Sequence, residues 1–130
     1  MKLDWILTGA AEAPIARLFD FSRDEALTLQ ELVRNLASRE IVQVELADFE
    51  WIQPLNDCRL TLSVRTSDVG VFAIGSVPHF ECALRWQTWD NIEFLIGAFT
   101  LPTTSGGFHW LWVSCPGEEP GLLMSVTGRW

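Results

Sequence analysis

The apolar residues of this chain change their period near residue 40, and that change constrains the fold more than any other feature. Upstream, Ala26, Leu29, Val33, Leu36 and Ala37 recur at three- and four-residue spacing and draw one apolar stripe along a helix. Ser22 stands three residues before Glu25, and Thr28 three before Glu31. Either pair can form a capping box that satisfies the free amides of a first helical turn. The pattern predicts a helix over about 23–38.

From residue 41 the period is two. In IVQVELADFEWI, Val42, Val44 and Leu46 alternate with Gln43 and Glu45; after Ala47 the phase flips, and Phe49 and Trp51 alternate with Asp48 and Glu50. A β-bulge near Ala47 and Asp48 restores a single buried face and keeps Glu45, Asp48 and Glu50 outward. QPLND reads as a turn, and RLTLSVR repeats the alternation with Leu60, Leu62 and Val64 inward, which closes a hairpin. VFAIG and FECALRW, the latter with Phe80, Cys82, Leu84 and Trp86 on one face, extend it to an antiparallel meander around a turn from Gly75 to Pro78.

In TWDNIEFLIGAF, Trp89, Ile92, Ile96 and Phe99 share a helical face, with Thr88 or Asp90 as the cap. GFHWLWVSC and LLMSVTGRW, joined by PGEEPG, form a last hairpin. Its first strand is apolar on both faces and is therefore expected in the sheet centre. The sum is an α+β fold: one compact domain over 1–130, with an antiparallel or mixed sheet of five to seven strands and two helices packed on one face. The first twenty residues carry no clear pattern.

Composition sets the function classes. With 48% apolar and 20% charged residues the chain is no disordered segment, and 130 residues hold a core without disulfide or metal staples. Seventeen acidic against nine basic side chains give a net charge of −8. That disfavours nucleic acid and anionic membrane as partners. The least charged stretch, around 94–117, is broken by Gly97, Pro102, Gly106, Gly107 and Pro116, and Asp4 interrupts the N-terminal apolar run, so neither a membrane span nor a signal peptide is read. Cys58, Cys82 and Cys115 are an odd set without a C-x-x-C spacing, as in a reduced cytoplasmic protein.

No dinucleotide, P-loop, zinc-protease, nucleophile-elbow or EF-hand motif occurs, and Lys2 is the one lysine. The reading leans away from an enzyme, with no cofactor. His79 and Cys82 have an H-x-x-C spacing that His109, Cys58 and Cys115 could complete as a zinc site. Cys82 falls on the inward face and Cys115 in a C-P-G turn, so no metal site is expected. No spacing selects a Cys–His nucleophilic pair.

Residues 40–57 hold Glu40, Glu45, Asp48, Glu50 and Asp57 and no Lys or Arg. Hairpin pairing can bring Arg59 and Arg65 against Glu50 and Glu45 and neutralise the row. Otherwise Glu45, Asp48, Glu50 and Trp51 form a docking surface for a basic protein partner. The seven tryptophans divide similarly. Trp86, Trp89, Trp110 and Trp112 can fill the core, or line with His109 a pocket for a cationic or aromatic small molecule.

The leading functional expectation is a non-enzymatic protein-binding or inhibitor module. In physical type (small, acidic, single-domain) the chain resembles the immunity proteins that neutralise bacterial toxins and the phage-encoded inhibitors that mimic nucleic acid. No motif carries that resemblance and no residue roles follow from it. The alternatives are a small-molecule binding protein or small enzyme with a Trp-lined pocket, and a structural subunit that pairs as a homodimer through a sheet edge.

Overall fold

A computed structural model describes residues 1–6, 15–75, 79–101, 107–112 and 121–126. Helix α1 runs Arg23–Ala37, and its start is set by the Ser22–Glu25 capping box: the Glu25 amide donates to Ser22 Oγ at 3.2 Å and the Ser22 amide to Glu25 Oε1 at 2.9 Å. Its buried side chains are Ala26, Leu29, Val33 and Leu36, four members of the stripe read from the sequence, with Ala37 half-buried beside them. Helix α2 covers Trp86–Gly97 and buries Trp89, Ile92 and Ile96, with Phe99 in the 3-10 turn that follows.

The start of α2 differs from expectation. Neither Thr88 nor Asp90 is its cap; Arg85 holds that position, and its side chain makes no capping bond. Asp68, from the loop ahead of β6 (Gly70–Ala73), accepts from the Arg85 amide at 3.0 Å and from Thr88 Oγ1 at 2.8 Å. The carboxylate that serves this helix end comes from seventeen residues upstream, which no local pattern reveals. Arg23 bonds the Thr100 carbonyl, Gln30 that of Glu93 at 3.4 Å, and Arg34 the Glu93 carboxylate at 2.9 Å, so the helices run antiparallel.

The strands fall into two mixed sheets, of five and four strands, rather than one. β1 (Lys2–Ile6) lies antiparallel to β2 (Ile15–Phe19), β2 parallel to β9 (Gly121–Ser125), and β9 antiparallel to β8 (Phe108–Trp112); β4 (Gln53–Pro54) adds to β1. The other sheet has the order β3-β5-β7-β6, with β3 at Gln43–Glu45, β5 at Arg59–Val64 and β7 at His79–Leu84.

The expected antiparallel meander is corrected: β5 and β7 pair in parallel and β6 lies outside β7. The physical reason is burial. β7 is buried from Phe80 to Leu84 and needs a neighbour on each side, whereas Ala73 of β6 is exposed and suits an edge. The expected bulge is likewise a 3-10 turn, Leu46–Asp48, after which the chain leaves this sheet and pairs Gln53 and Pro54 with β1 of the other. A single turn shifts the alternation by one residue as well as a bulge does. Val42, immediately ahead of β3, is 64% exposed rather than inward. Of the expected QPLND hairpin turn only Leu55–Asp57 turns, as a 3-10 turn with Asn56 and Asp57 at positive φ, which Asn and Asp tolerate, so β3 and β5 pair without a tight loop between them.

In the last hairpin the central strand is β9, whose five residues are all buried, and β8 is the edge. The Trp110 ring crowds the backbone at residue 121, where a Cβ would come within 2.8 Å of it, so glycine is required there. Between the sheets, the Trp5 ring of β1 stacks on Phe80 of β7, 3.7 Å between centroids. The PGEEPG turn, with Glu118 and Glu119, and Cys115 lie outside the described residues.

Candidate functional site

The four-stranded sheet turns Leu60 and Leu62 of β5 into the core, and period-two geometry puts Arg59, Thr61 and Ser63 on its other face. Register aligns Thr61 with Glu45 of β3 and Glu81 of β7, and Arg59 with His79, so polar side chains form rows across three strands. Arg59 Nε donates to Glu45 Oε1 at 2.8 Å and its Nη2 to Asp48 Oδ1 at 3.2 Å. The Glu45 hydrogen bond and charge, then Asp48, raise the Arg59 pKa further. His79 Nε2 lies 3.6 Å from Glu45 Oε1 and 3.3 Å from Thr61 Oγ1. One row further along, Ser63 Oγ donates to Glu81 Oε2 at 2.9 Å and Arg65 Nη2 to the same oxygen at 2.6 Å. From behind the sheet, Trp89 Nε1 donates to the Ser63 carbonyl at 2.8 Å.

Glu45, His79 and Thr61 do not assemble a proton relay. A carboxylate–imidazole–hydroxyl relay needs the carboxylate on one ring nitrogen and the hydroxyl on the other, and here both meet Nε2. Cysteine chemistry is disfavoured as well. Burial, with the charges of Asp4 and Glu45, pushes the Cys58 thiol up to about 12, and burial above all raises Cys82. His79 and Cys82, three residues apart on one strand, face opposite sides of the sheet. Among the described residues no three His, Cys, Asp or Glu side chains converge as a metal site would require.

The acidic residues singled out in the sequence reach different ends. Glu45 is outward by register but covered, its side chain only 14% exposed and its Oε2 buried without a hydrogen-bond partner among the described residues. Asp48 is 71% exposed and shares Arg59. Glu50, Glu40 and Asp57 are exposed and make no ion pair among the described residues. Trp51 is half-buried, its ring 5.7 Å from that of Phe49 and its carbonyl accepting from the Met1 amino group at 2.9 Å. Arg59 thus meets Glu45 and Asp48 rather than Glu50, and Arg65 meets Glu81 rather than Glu45.

The tryptophans do not gather with His109 around one cavity. Trp89 is fully buried; Trp110 and Trp112 are half-buried in β8; and exposed His109 meets the edge of Phe99 at 5.4 Å. Trp86 is 40% exposed at the start of α2 and lines a cavity of about 500 Å³ that includes none of the other four. That cavity, with Arg39, Arg65 and Arg85 in its wall, went unread in the sequence, where its parts are scattered over nearly fifty residues. Exposed Val42 was also missed; in the sequence it continues the alternation of Val44 and Leu46, and only the start of β3 at Gln43 sets it apart.

Among the described residues no helix is long and apolar enough to cross a membrane. Compared with known protein families, curated proteins and solved structures, the chain matches none.

Proposed function

We propose that this chain is a non-enzymatic binding module, of inhibitor type, that receives a basic protein partner along the β3 edge and the acidic turn after it. One observation carries the reading: the five carboxylates between residues 40 and 57 meet a single guanidinium, Arg59, which bonds two of them. Glu40, Glu50 and Asp57 keep their charge facing water. Such a field accelerates encounter with a basic surface and sets its orientation. β3 pairs with β5 on one side and is the sheet edge on the other, with Val42 supplying apolar area beside the carboxylates.

The test is capture of partners from source-cell lysate by the wild-type chain and by the triple variant Glu40→Lys, Asp48→Lys, Glu50→Lys, each at 50 and 500 mM salt. The expected result is a basic protein retained by the wild type at low salt and lost both in the variant and at high salt. Retention of the same partners by the triple variant overturns the acidic surface. Capture of a second copy of this chain instead makes the edge a homodimer contact.

A further inference from the structure

The end of the four-stranded sheet away from the acidic turn holds a cavity of about 500 Å³ lined by Arg39, Val64, Arg65, Thr66, Arg85, Trp86 and Gln87. We infer that this cleft binds a soluble phosphate monoester, with the phosphate among the three guanidinium groups and an aromatic or apolar body against Trp86 and Val64. The volume is within the range of small-molecule sites, roughly 300–1,000 Å³.

The concentration of charge is the first support. The chain has nine basic residues against seventeen acidic, yet three arginines meet here and no carboxylate lines the cavity. Two of the three are anchored from outside the cavity: Arg65 by Glu81 at 2.6 Å and Arg85 by Asp68 at 3.3 Å. These contacts hold the guanidinium planes in place, and both side chains remain about half exposed, at 51% and 53%. Arg39 makes no ion pair among the described residues; its guanidinium sits 5.7 Å over the Trp86 ring. A cation left without a carboxylate in so acidic a chain is the charge a ligand would neutralise.

The geometry of the donors points to phosphate rather than carboxylate. Three planar guanidinium forks offer more N–H groups than two carboxylate oxygens accept, whereas a phosphate monoester has three terminal oxygens and close to two negative charges. The first turn of α2 borders the cavity through Trp86 and Gln87, whose amides make no hydrogen bond among the described residues; the Asp68 carboxylate already meets this helix end at the Arg85 amide and Thr88 Oγ1, so the guanidinium groups rather than the helix supply the charge. Half-exposed Trp86 and Val64 give the cleft an apolar wall that inorganic phosphate alone would leave uncovered.

The experiment is a titration of the ¹⁵N-labelled full chain with phenyl phosphate, followed through backbone amide shifts. Saturable shifts centred on residues 65, 66 and 85–87 are expected. Arg39→Asn, which suits the positive φ of 64° at that position, is expected to weaken binding about tenfold while the spectrum elsewhere is unchanged. Arg85→Gln is expected to weaken it comparably, and Arg23→Gln, at the opposite end of α1 from Arg39, not at all. Inorganic phosphate is expected to bind several-fold more weakly than phenyl phosphate. No saturation in the millimolar range, equal affinity in Arg39→Asn and the wild type, or equal affinity for inorganic and phenyl phosphate overturns the proposal. Sedimentation with phosphatidic acid vesicles in the absence of phenyl phosphate binding assigns the chemistry to a lipid headgroup and overturns the soluble ligand.

Discussion

Arg59 and Arg65 bracket β5, about 20 Å apart at 3.3 Å per residue, and stand in opposite electrostatic settings. At one end a single guanidinium is shared by Glu45 and Asp48, and two further carboxylates, Glu50 and Asp57, face water unpaired among the described residues. At the other end the carboxylate, Glu81, is buried beneath its arginine, and Arg39 and Arg85 stand beside it around an open cleft. The same residue type thus closes a negative surface at one end and opens a positive one at the other. What decides between them is the second carboxylate: Glu45 is nearly as covered as Glu81, at 14% against 9%, but Asp48 beside it stands 71% exposed. A buried acid uses its cation for its own desolvation, and an exposed acid leaves its charge to the solvent. The net charge of −8 averages over two poles.

The contrast can be broken most severely from behind the sheet. Trp89 is fully buried and its indole holds the middle of β5 through Ser63. Trp89→Ala is expected to cost about 3–5 kcal/mol in denaturant unfolding and to take both poles with it. A loss below about 1 kcal/mol would mean that α2 is not the floor of this sheet.

Arg65→Met is expected to cost about 2 kcal/mol, below the value for a fully buried pair because the guanidinium is half exposed. Adding Glu81→Met should restore much of that loss, since a pair replaced by apolar groups leaves no buried charge unmatched. Arg59→Met should cost less, because one of its two partners, Asp48, lies in water. Urea midpoints of the three variants decide the matter. A larger loss at Arg59 than at Arg65 reverses the contrast. The smallest effect belongs to Glu40→Lys with Glu50→Lys, whose unfolding free energy should stay within about 0.5 kcal/mol of wild type while salt-dependent partner binding falls. A clear loss of stability would show that these carboxylates have structural partners.

The helices were legible in the sequence because their signals are local. The Ser22–Glu25 box and the spacing of Ala26, Leu29, Val33 and Leu36 lie within one segment and need no partner to be read. The strands were legible as strands, but a period of two says which residues point inward and is silent about which strand lies alongside. The parallel β5–β7 pairing, the passage of Gln53 and Pro54 into the other sheet and the edge position of β8 were therefore lost. The outward face of Glu45 was read correctly, yet alternation does not show that Arg59 and His79 would close over it. The arginine cleft left no trace in the sequence at all. Arg39 follows one helix, Arg65 follows a strand and Arg85 precedes another helix, and only the fold makes them neighbours.

The parallel pairing of β2 with β9 bears on how the molecule is made. Phe19 meets Ser125, so the five-stranded sheet joins segments more than a hundred residues apart. Helix α1, the four-stranded sheet and helix α2 all lie between residues 23 and 97 and can assemble as the chain emerges. Until β9 arrives, the N-terminal hairpin offers the free edge of β2, with Ile15, Ala16 and Leu18 uncovered, to whatever strand comes first. Synthesis of this protein therefore carries this hazard of misassociation until residues 121–125 emerge, and a chain that stalls short of residue 121 is left with that edge open.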